Sequence, residues 1–330
     1  MIGLLFVDDE EGVRRSVVRA LKKEPYRILT APDGKQAIVA AKRHLSHIGV
    51  VVSDYKMPGL NGLETLRIIA AINPEITRIL LTGYATMNAA IRATNEGLDG
   101  FLTKPFDNIV LRTRIREILI RKRLKQFIPP QVYEQIRNDP AVMMPARKRV
   151  TVLFCDIRGF TAMSKSTSPE KIAALLNEDY FAPFGEIAYR HNGTVDKHMG
   201  DCIMIVYGAP VPHDNDPENA VRSAIEMQKT ARAANEKLAG RNGLRLHIGI
   251  GICTGEVVTG VFGSLRKREF TALGMPVNIA ARLEKIAGPG EILVSENTYL
   301  EARGFPAERL VPDVRVKGIK GPLRVYRIAT

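Results

Sequence analysis

Five short apolar runs, at residues 4–7, 28–30, 50–53, 79–81 and 101–103, punctuate the first third of the chain. The stretches between them, 13–23, 34–44, 60–72 and 87–96, carry apolar residues at helical spacing. Uninterrupted apolar runs suit strands covered on both faces, and strands that alternate with helices pair in parallel through crossover connections. The pattern predicts an α/β fold with a five-stranded parallel sheet over residues 1–120. From 147 to 330 the pattern changes. Strands are expected at 150–155, 244–253, 256–262, 292–294 and within 314–326, with a hairpin across 194–207 around Gly200-Asp201. Helices are expected at 169–190, 217–239 and 276–287. Mixed strands, hairpins and helices predict an α+β domain. Residues 106–140 carry no strand signal, and 121–146 are assigned as a helical linker. One long helical pattern, 108–126, is stopped by Pro129-Pro130, and a short helix at 131–138 ends at Asp139-Pro140. This reads as a joint, with the long helix as a candidate parallel pair in a dimer.

Composition sets the class. With 330 residues, 45% hydrophobic and 25% charged, each half has enough apolar material for a core of its own. No apolar run is long enough to span a bilayer, and the first nine residues run from a short strand into acids, unlike a signal peptide. Cys155, Cys202 and Cys253 lie inside apolar runs without paired spacing, against a disulfide framework or a zinc site. A reducing cytoplasm is the expected compartment, with no membrane partner. The net charge of +13 concentrates at 112–125, 147–149 and 266–268. Such runs are read as solvated helix faces or loops; no nucleic-acid partner is expected, because no reading helix or stacking sheet accompanies them.

In open α/β sheets, ligands bind at the carboxyl ends of the strands. Asp8 and Asp9 follow the first predicted strand, Asp54 the third, Thr82 the fourth and Lys104 the fifth. Clustered carboxylates call for a hard divalent cation such as Mg²⁺, and one of them can then act as a nucleophile toward phosphorus. The runs VDDE, VVSDYKMPGLNG, LLTGYA and FLTKPF, in that order, resemble the receiver domain of two-component response regulators. The resemblance implies a flavodoxin-like fold and makes Asp54 the phosphoacceptor, with a histidine kinase as phosphodonor. It implies that Asp8, Asp9 and Asp54 hold Mg²⁺, and that Thr82, Phe101 and Lys104 relay the phosphorylation state. Phe101 keeps the ring usual at the aromatic switch but lacks its hydroxyl.

In the second half, Asp156 ends a predicted strand and Asp201 sits in the hairpin turn, the minimum for a two-metal site. Gly159, in the run Ile157-Arg158-Gly159-Phe160-Thr161, lets backbone N–H groups approach phosphate. Asn278 and Arg282, four apart, share one helix face, and an arginine fork suits a pentavalent phosphoryl centre. Lys317 lies in a glycine-containing turn within reach of terminal phosphates. The runs VLFCDIRGFT, VDKHMGD, HIGIGICTGEVVTGVFG and PVNIAARLE resemble the class III nucleotidyl cyclase catalytic domain, a ferredoxin-like palm. The resemblance implies that Asp156, Ile157 and Asp201 hold two Mg²⁺ or Mn²⁺ ions, and that Gly159, Phe160 and Thr161 contact substrate. It implies that Lys197 and Thr271 select the adenine of ATP, Asn278 orients the ribose, Arg282 stabilises the transition state and Lys317 binds terminal phosphates. It also implies a homodimer whose shared sites take the aspartates from one chain and the remaining groups from the other. Many adenylate cyclases carry aspartate where this chain has Thr271; guanylate cyclases would carry glutamate at Lys197. The rivals are a DNA-binding response regulator and a catalytically silent nucleotide-binding module. The GGDEF-type signature of diguanylate cyclases is missing.

Overall fold

The computed structural model describes residues 2–45, 47–83, 97–125, 127–239, 244–264, 267–310, 314–315 and 321–329. The helix expected at 87–96 lies outside the described residues, as do Lys317 and parts of the last expected strands. Contacts divide the chain into two units, Met1–Phe127 and Ile128–Thr330.

In the first unit, β1 (Ile2–Val7), β2 (Tyr26–Ala31), β3 (Ile48–Asp54), β4 (Thr77–Gly83) and β5 (Gly100–Lys104) form one parallel sheet, in the order β2-β1-β3-β4-β5. Alternate strand residues feed two cores, as the period of a pleated strand requires. Leu5, Val7, Val51 and Leu80 pack with Ala37 and Ala41 of α2 (Gly34–Arg43) and with Leu66 and Ile69 of α3 (Gly62–Ile72). Leu4, Phe6, Val50, Val52, Ile79 and Leu81 pack with Val17 and Leu21 of α1 (Glu11–Leu21) and with Leu111, Ile115, Ile118 and Leu119 of α4 (Asn108–Lys125). The segment expected to be a joint is therefore divided. Its long helix is part of the first core, while α5 (Pro130–Asn138) belongs to the second unit, where Gln131 Nε2 donates to the Gly193 carbonyl.

The basic run of α4 is mostly solvated, as expected, with Arg116, Arg121, Arg123 and Lys125 exposed, but some of its cations also bind their own domain. Lys122 Nζ is largely buried and donates to the carbonyls of Pro74 and Ile76 and to Asp99, and Arg121 donates to the Asp99 carbonyl. Arg116 pairs with Glu24 at 2.9 Å. These cations clamp the helix to its own sheet.

The second unit is built on a mixed sheet whose strands run in the order β12 (Ala307–Arg309), β13 (Val325–Ile328), β11 (Ile292–Ser295), β9 (Ile248–Gly263), β6 (Ala146–Ile157), β8 (Cys202–Tyr207) and β7 (Gly193–Met199), with β10 (Arg268–Leu273) pairing β9. Its centre is β6 (Ala146–Ile157) against β9 (Ile248–Gly263), antiparallel over twelve register pairs. The two strands expected at 244–253 and 256–262 are thus one strand: every residue from Ile248 to Thr259 has a partner on β6, which carries it across Gly255 without a turn. β7 (Gly193–Met199) and β8 (Cys202–Tyr207) close a two-residue hairpin in which Gly200 takes φ of +67°, the left-handed conformation such loops need. β10 (Arg268–Leu273) and helices α6 (Phe160–Ser166) and α11 (Glu296–Ala302) lie where no element was expected. The expected helix 169–190 is α7 (Pro169–Ala174), a π-helical turn (Leu175–Phe181) and α8 (Ala182–Arg190).

Alternation again supplies two faces. Leu153, Cys155, Ile157, Ile203, Ile205, Ile248, Ile250 and Ile252 pack beneath α8 and α9 (Asp216–Ala239). Val150, Val152, Phe154, Met204, Val206 and Cys253 pack beneath α10 (Met275–Ile286). A Cβ at Gly251 would meet the Glu284 nitrogen at 2.1 Å and the Ala280 carbonyl oxygen at 2.3 Å, so α10 lies directly on β9 there. Backbone cannot yield as a side-chain tip can, and Gly251→Ala is expected to destabilise the chain by about 1–3 kcal/mol through overpacking. Denaturant unfolding of the full chain measures this; an unchanged midpoint for the second unit would contradict the close approach.

Candidate functional site

The parallel register of the first unit brings its polar residues to one edge. Asp54 pairs with Leu81, Thr82 with Thr103 and Gly83 with Lys104, so β3, β4 and β5 end side by side, and Asp8 follows β1 next to β3. The Lys104 ammonium donates to Asp8 Oδ2 at 2.9 Å and lies 3.1 Å from Asp54 Oδ1. Asp8 is 0% exposed and Asp54 nearly buried, whereas Asp9 faces solvent. Burial raises the Asp54 pKa above the usual carboxylate range, against the opposing hydrogen bond and charge of Lys104. Burial pulls Lys104 down, but its bonds to Asp8 and Asp54 outweigh this and leave its pKa raised. Carboxylate oxygens of Asp8, Asp9 and Asp54 all lie within 4.8 Å of one another, an all-oxygen donor set that fits a hard cation. Arg14 donates to the carbonyls of Asp8 and Asp9 at 2.6 and 2.9 Å and holds that loop. Thr82 is buried at the adjoining strand end, and Phe101, on β5, packs into the core shared with α2 and α3.

In the second unit the site starts from neighbouring strand ends. Cys155 pairs with Ile203, so Asp156 at the end of β6 meets the turn that carries Asp201. Burial, followed by the hydrogen bond and charge of Asp156, pushes Asp201 up to about 7. A carboxylate raised in this way beside another marks a site short of positive charge, and the oxygen donors of Asp156 and Asp201 fit divalent ions. Ile157 enters through its main chain: its side chain is in the core and its N–H donates to Asp156 Oδ1 at 2.9 Å. Gly159, at φ of +75°, turns the chain into α6, whose first-turn N–H groups at Phe160 and Thr161 are donors that helix geometry leaves unpaired.

Two residues unassigned from the sequence complete this cluster. The Arg158 guanidinium lies 3.6 Å from Asp156 Oδ2 and forms a short ion pair with Glu284, which is buried on the inner face of α10. Burial raises the Glu284 pKa, against the pull of Arg158. A signal for Glu284 was present: it falls on the apolar stripe of α10 with Pro276, Ala280, Leu283 and Ala287, where a carboxylate needs a buried partner.

Lys197 and Thr271, 74 positions apart, meet through a third unassigned residue. Asp196 bulges out of the β7–β8 register and accepts the Thr271 hydroxyl at 2.5 Å, with Lys197 Nζ 3.7 Å away. Lys197 also pairs with Glu269 of β10 at 2.8 Å. Asn278 and Arg282 are exposed, without a hydrogen bond or ion pair to any described residue. At about 100° per residue they face roughly opposite to Glu284 on α10. The sequence-predicted residues thus form three groups: the Asp156–Asp201 pair, the Lys197–Asp196–Thr271 cluster and the outer face of α10. Lys317 lies outside the described residues.

The raised Asp201 pKa has a stability consequence. Without bound ions, the native state holds a proton between pH ~4 and ~7 that the unfolded chain has released, so this group's contribution is full below pH ~4 and is lost as pH rises through about 7. Asp201→Asn is expected to flatten that part of the pH–stability curve in chelator; a variant curve parallel to that of wild type would contradict the raised Asp201 pKa.

Three comparisons bear on this arrangement. Residues 142–330 match the family model "Adenylate and Guanylate cyclase catalytic domain", and residues 4–116 match "Response regulator receiver domain". An adenylate cyclase of Anabaena cylindrica is 32% identical over 221 residues, which are 64% of this chain and 42% of that protein. Among solved structures, the adenylyl cyclase CyaB from P. aeruginosa is 34% identical with a TM-score of 0.55, over 57% of this chain and 96% of that one. The guanylyl cyclase Cya2 is 36% identical with a TM-score of 0.53, over 57% and 94%. The chain spans less than half the length of the curated relatives it matches. With the family model covering more than half of the chain, the chain belongs to the adenylate and guanylate cyclase catalytic domain family, that domain being preceded by a response regulator receiver domain.

Proposed function

We propose that the chain converts ATP to 3′,5′-cyclic AMP and pyrophosphate at two equivalent sites shared across a head-to-tail homodimer, under control of phosphorylation at Asp54. One observation carries the reading: Asn278 and Arg282 stand exposed and unpaired among the described residues on the face of α10 opposite the one that meets the Asp156 cluster through Glu284. One chain then supplies Asp156 and Asp201, and a second supplies Lys197, Thr271, Asn278 and Arg282. Leu273, Met275 and Ile286 are exposed at β10 and α10, apolar surface that a partner would cover.

In this reading the ribose 3′-hydroxyl attacks the α-phosphorus and pyrophosphate leaves in line. Asp156, Asp201 and the Ile157 main chain would hold two Mg²⁺ or Mn²⁺ ions, which lower the pKa of the attacking hydroxyl and balance charge on the leaving phosphates. Asn278 orients the ribose, and Arg282 neutralises charge that builds at the transferred phosphorus. The N–H groups of Gly159, Phe160 and Thr161 and the Lys317 ammonium take the remaining phosphate oxygens. Lys197 and Thr271 read the base.

In the receiver, Asp54 takes the phosphoryl group from a histidine kinase, with Asp8, Asp9 and Asp54 as the Mg²⁺ ligands. A phosphoryl group at Asp54 would meet the Lys104 ammonium that now spans Asp8 and Asp54, and Thr82 and Phe101 carry the change onward. The cytoplasm, where ATP and kinase are found, is the proposed compartment; among the described residues no helix is long and apolar enough to cross a membrane.

The test is subunit complementation. Asp156→Ala and Arg282→Ala chains should each be nearly inactive with ATP and Mn²⁺, and their mixture should recover about a quarter of wild-type cyclic AMP formation, since half the dimers regain one of two sites. Inactive mixtures from chains that demonstrably exchange would reject the shared site. Independently, a small-molecule phosphodonor should change the cyclase rate of the full chain and leave Asp54→Asn unaffected; an Asp54→Asn enzyme that responds like wild type would reject Asp54 as the control point.

A further inference from the structure

The carboxylate of Asp196 is 3% exposed, an expensive place for a negative charge. What surrounds it is specific. Its Oδ2 accepts the Thr271 hydroxyl at 2.5 Å, the Ala272 N–H also stabilises it, and Lys197 Nζ lies 3.7 Å from Oδ1. Oδ1 has no hydrogen-bond partner. The residue reaches this position because the β7 register slips between Val195 and Lys197. One buried carboxylate therefore touches both side chains assigned above to the base.

From this juxtaposition we infer that Asp196 is a specificity-determining positioning residue, which fixes the direction of the Thr271 hydroxyl so that the site accepts adenine and rejects guanine. The inference rests on the cyclase reading. A threonine hydroxyl has one proton and two lone pairs. With its proton committed to a carboxylate, which accepts only, Thr271 offers a ligand lone pairs alone. Adenine carries a donor at its 6-position, the exocyclic amino group; guanine carries an acceptor, O6. The locked hydroxyl bonds the first and meets the second lone pair to lone pair, discrimination by an unpaired polar group rather than by shape. A threonine free to turn would serve either base. The pair Asp196–Thr271 thus supplies, through a relay, the acceptor that an aspartate in place of Thr271 would supply directly. Thr271 is 8% exposed, so its hydroxyl has little water to turn toward.

Asp196→Asn tests this, because a carboxamide can donate to the Thr271 oxygen and free its proton to face the base. In the full chain with Mn²⁺, kcat/KM is measured for ATP, for GTP and for purine riboside 5′-triphosphate, which has only hydrogen at the 6-position. The expected result is a fall of about tenfold in the ratio of ATP to the purine analogue, the value of one well-made hydrogen bond, with GTP gaining on ATP. Simple structural damage would lower all three together and leave the ratios alone. A folded Asp196→Asn whose ratios stay within about twofold of wild type, a difference smaller than one hydrogen bond, overturns the inference while the cyclase reading stands. A wild-type chain that turns over neither ATP nor GTP overturns both. If Asp196→Asn does not fold, Thr271→Val should lose the ratio and Thr271→Ser, which keeps the donating hydroxyl, should retain it; equal ratios in these two variants overturn the inference.

Discussion

Carboxylates gathered at the ends of neighbouring strands repel one another, and both units of this chain are organised around managing that repulsion. In the first, Lys104 reaches from the end of β5 to span Asp8 and Asp54. In the second, Asp156 and Asp201 leave one pKa near neutrality, and Arg158 stands between Asp156 and the buried Glu284. Burial alone would drive such groups to neutrality. Each cluster is held instead by strand register, which does not relax when charge accumulates, so each presents oxygen donors of the kind that fit a hard cation.

Helix α10 separates the work of the second unit. Its inner face lies on β9 so closely that Gly251 has no room for a methyl group, and it presents Glu284 to Arg158. Its outer face carries Asn278 and Arg282 into solvent. A helix packed this tightly cannot rotate to unite the two faces. Among the described residues nothing meets that polar outer face, which is why the proposed site draws on a second chain. On the neighbouring hairpin, the bulge at Asp196 joins two distant residues by placing a buried charge where a strand would otherwise run regularly.

Some of the chain's positive charge has a local role. Arg116, Arg121 and Lys122 of α4 bind Glu24 and the Asp99 region, and Arg149 pairs with Glu301. Part of a basic run can thus fasten a helix or strand to its own domain while most of its residues stay in solvent.

The parallel sheet, its five strands and the polar edge at Asp8, Asp54, Thr82 and Lys104 were legible in the sequence, because apolar periodicity and strand-end position are local properties. Asp156, Asp201 and the exposed pair Asn278–Arg282 were legible for the same reason. The continuity of β9 across Gly255, the place of β10 and the membership of α4 in the first core were not, since each depends on a partner strand or face far along the chain. The roles of Arg158, Glu284 and Asp196 were hidden likewise: all three stood inside runs that were noticed, but a charged side chain shows its purpose only when its partner is known. Local pattern determined which elements form and which residues sit at their ends; long-range pairing alone decided which charges meet, because electrostatic interaction depends on distance in space and not on separation in sequence.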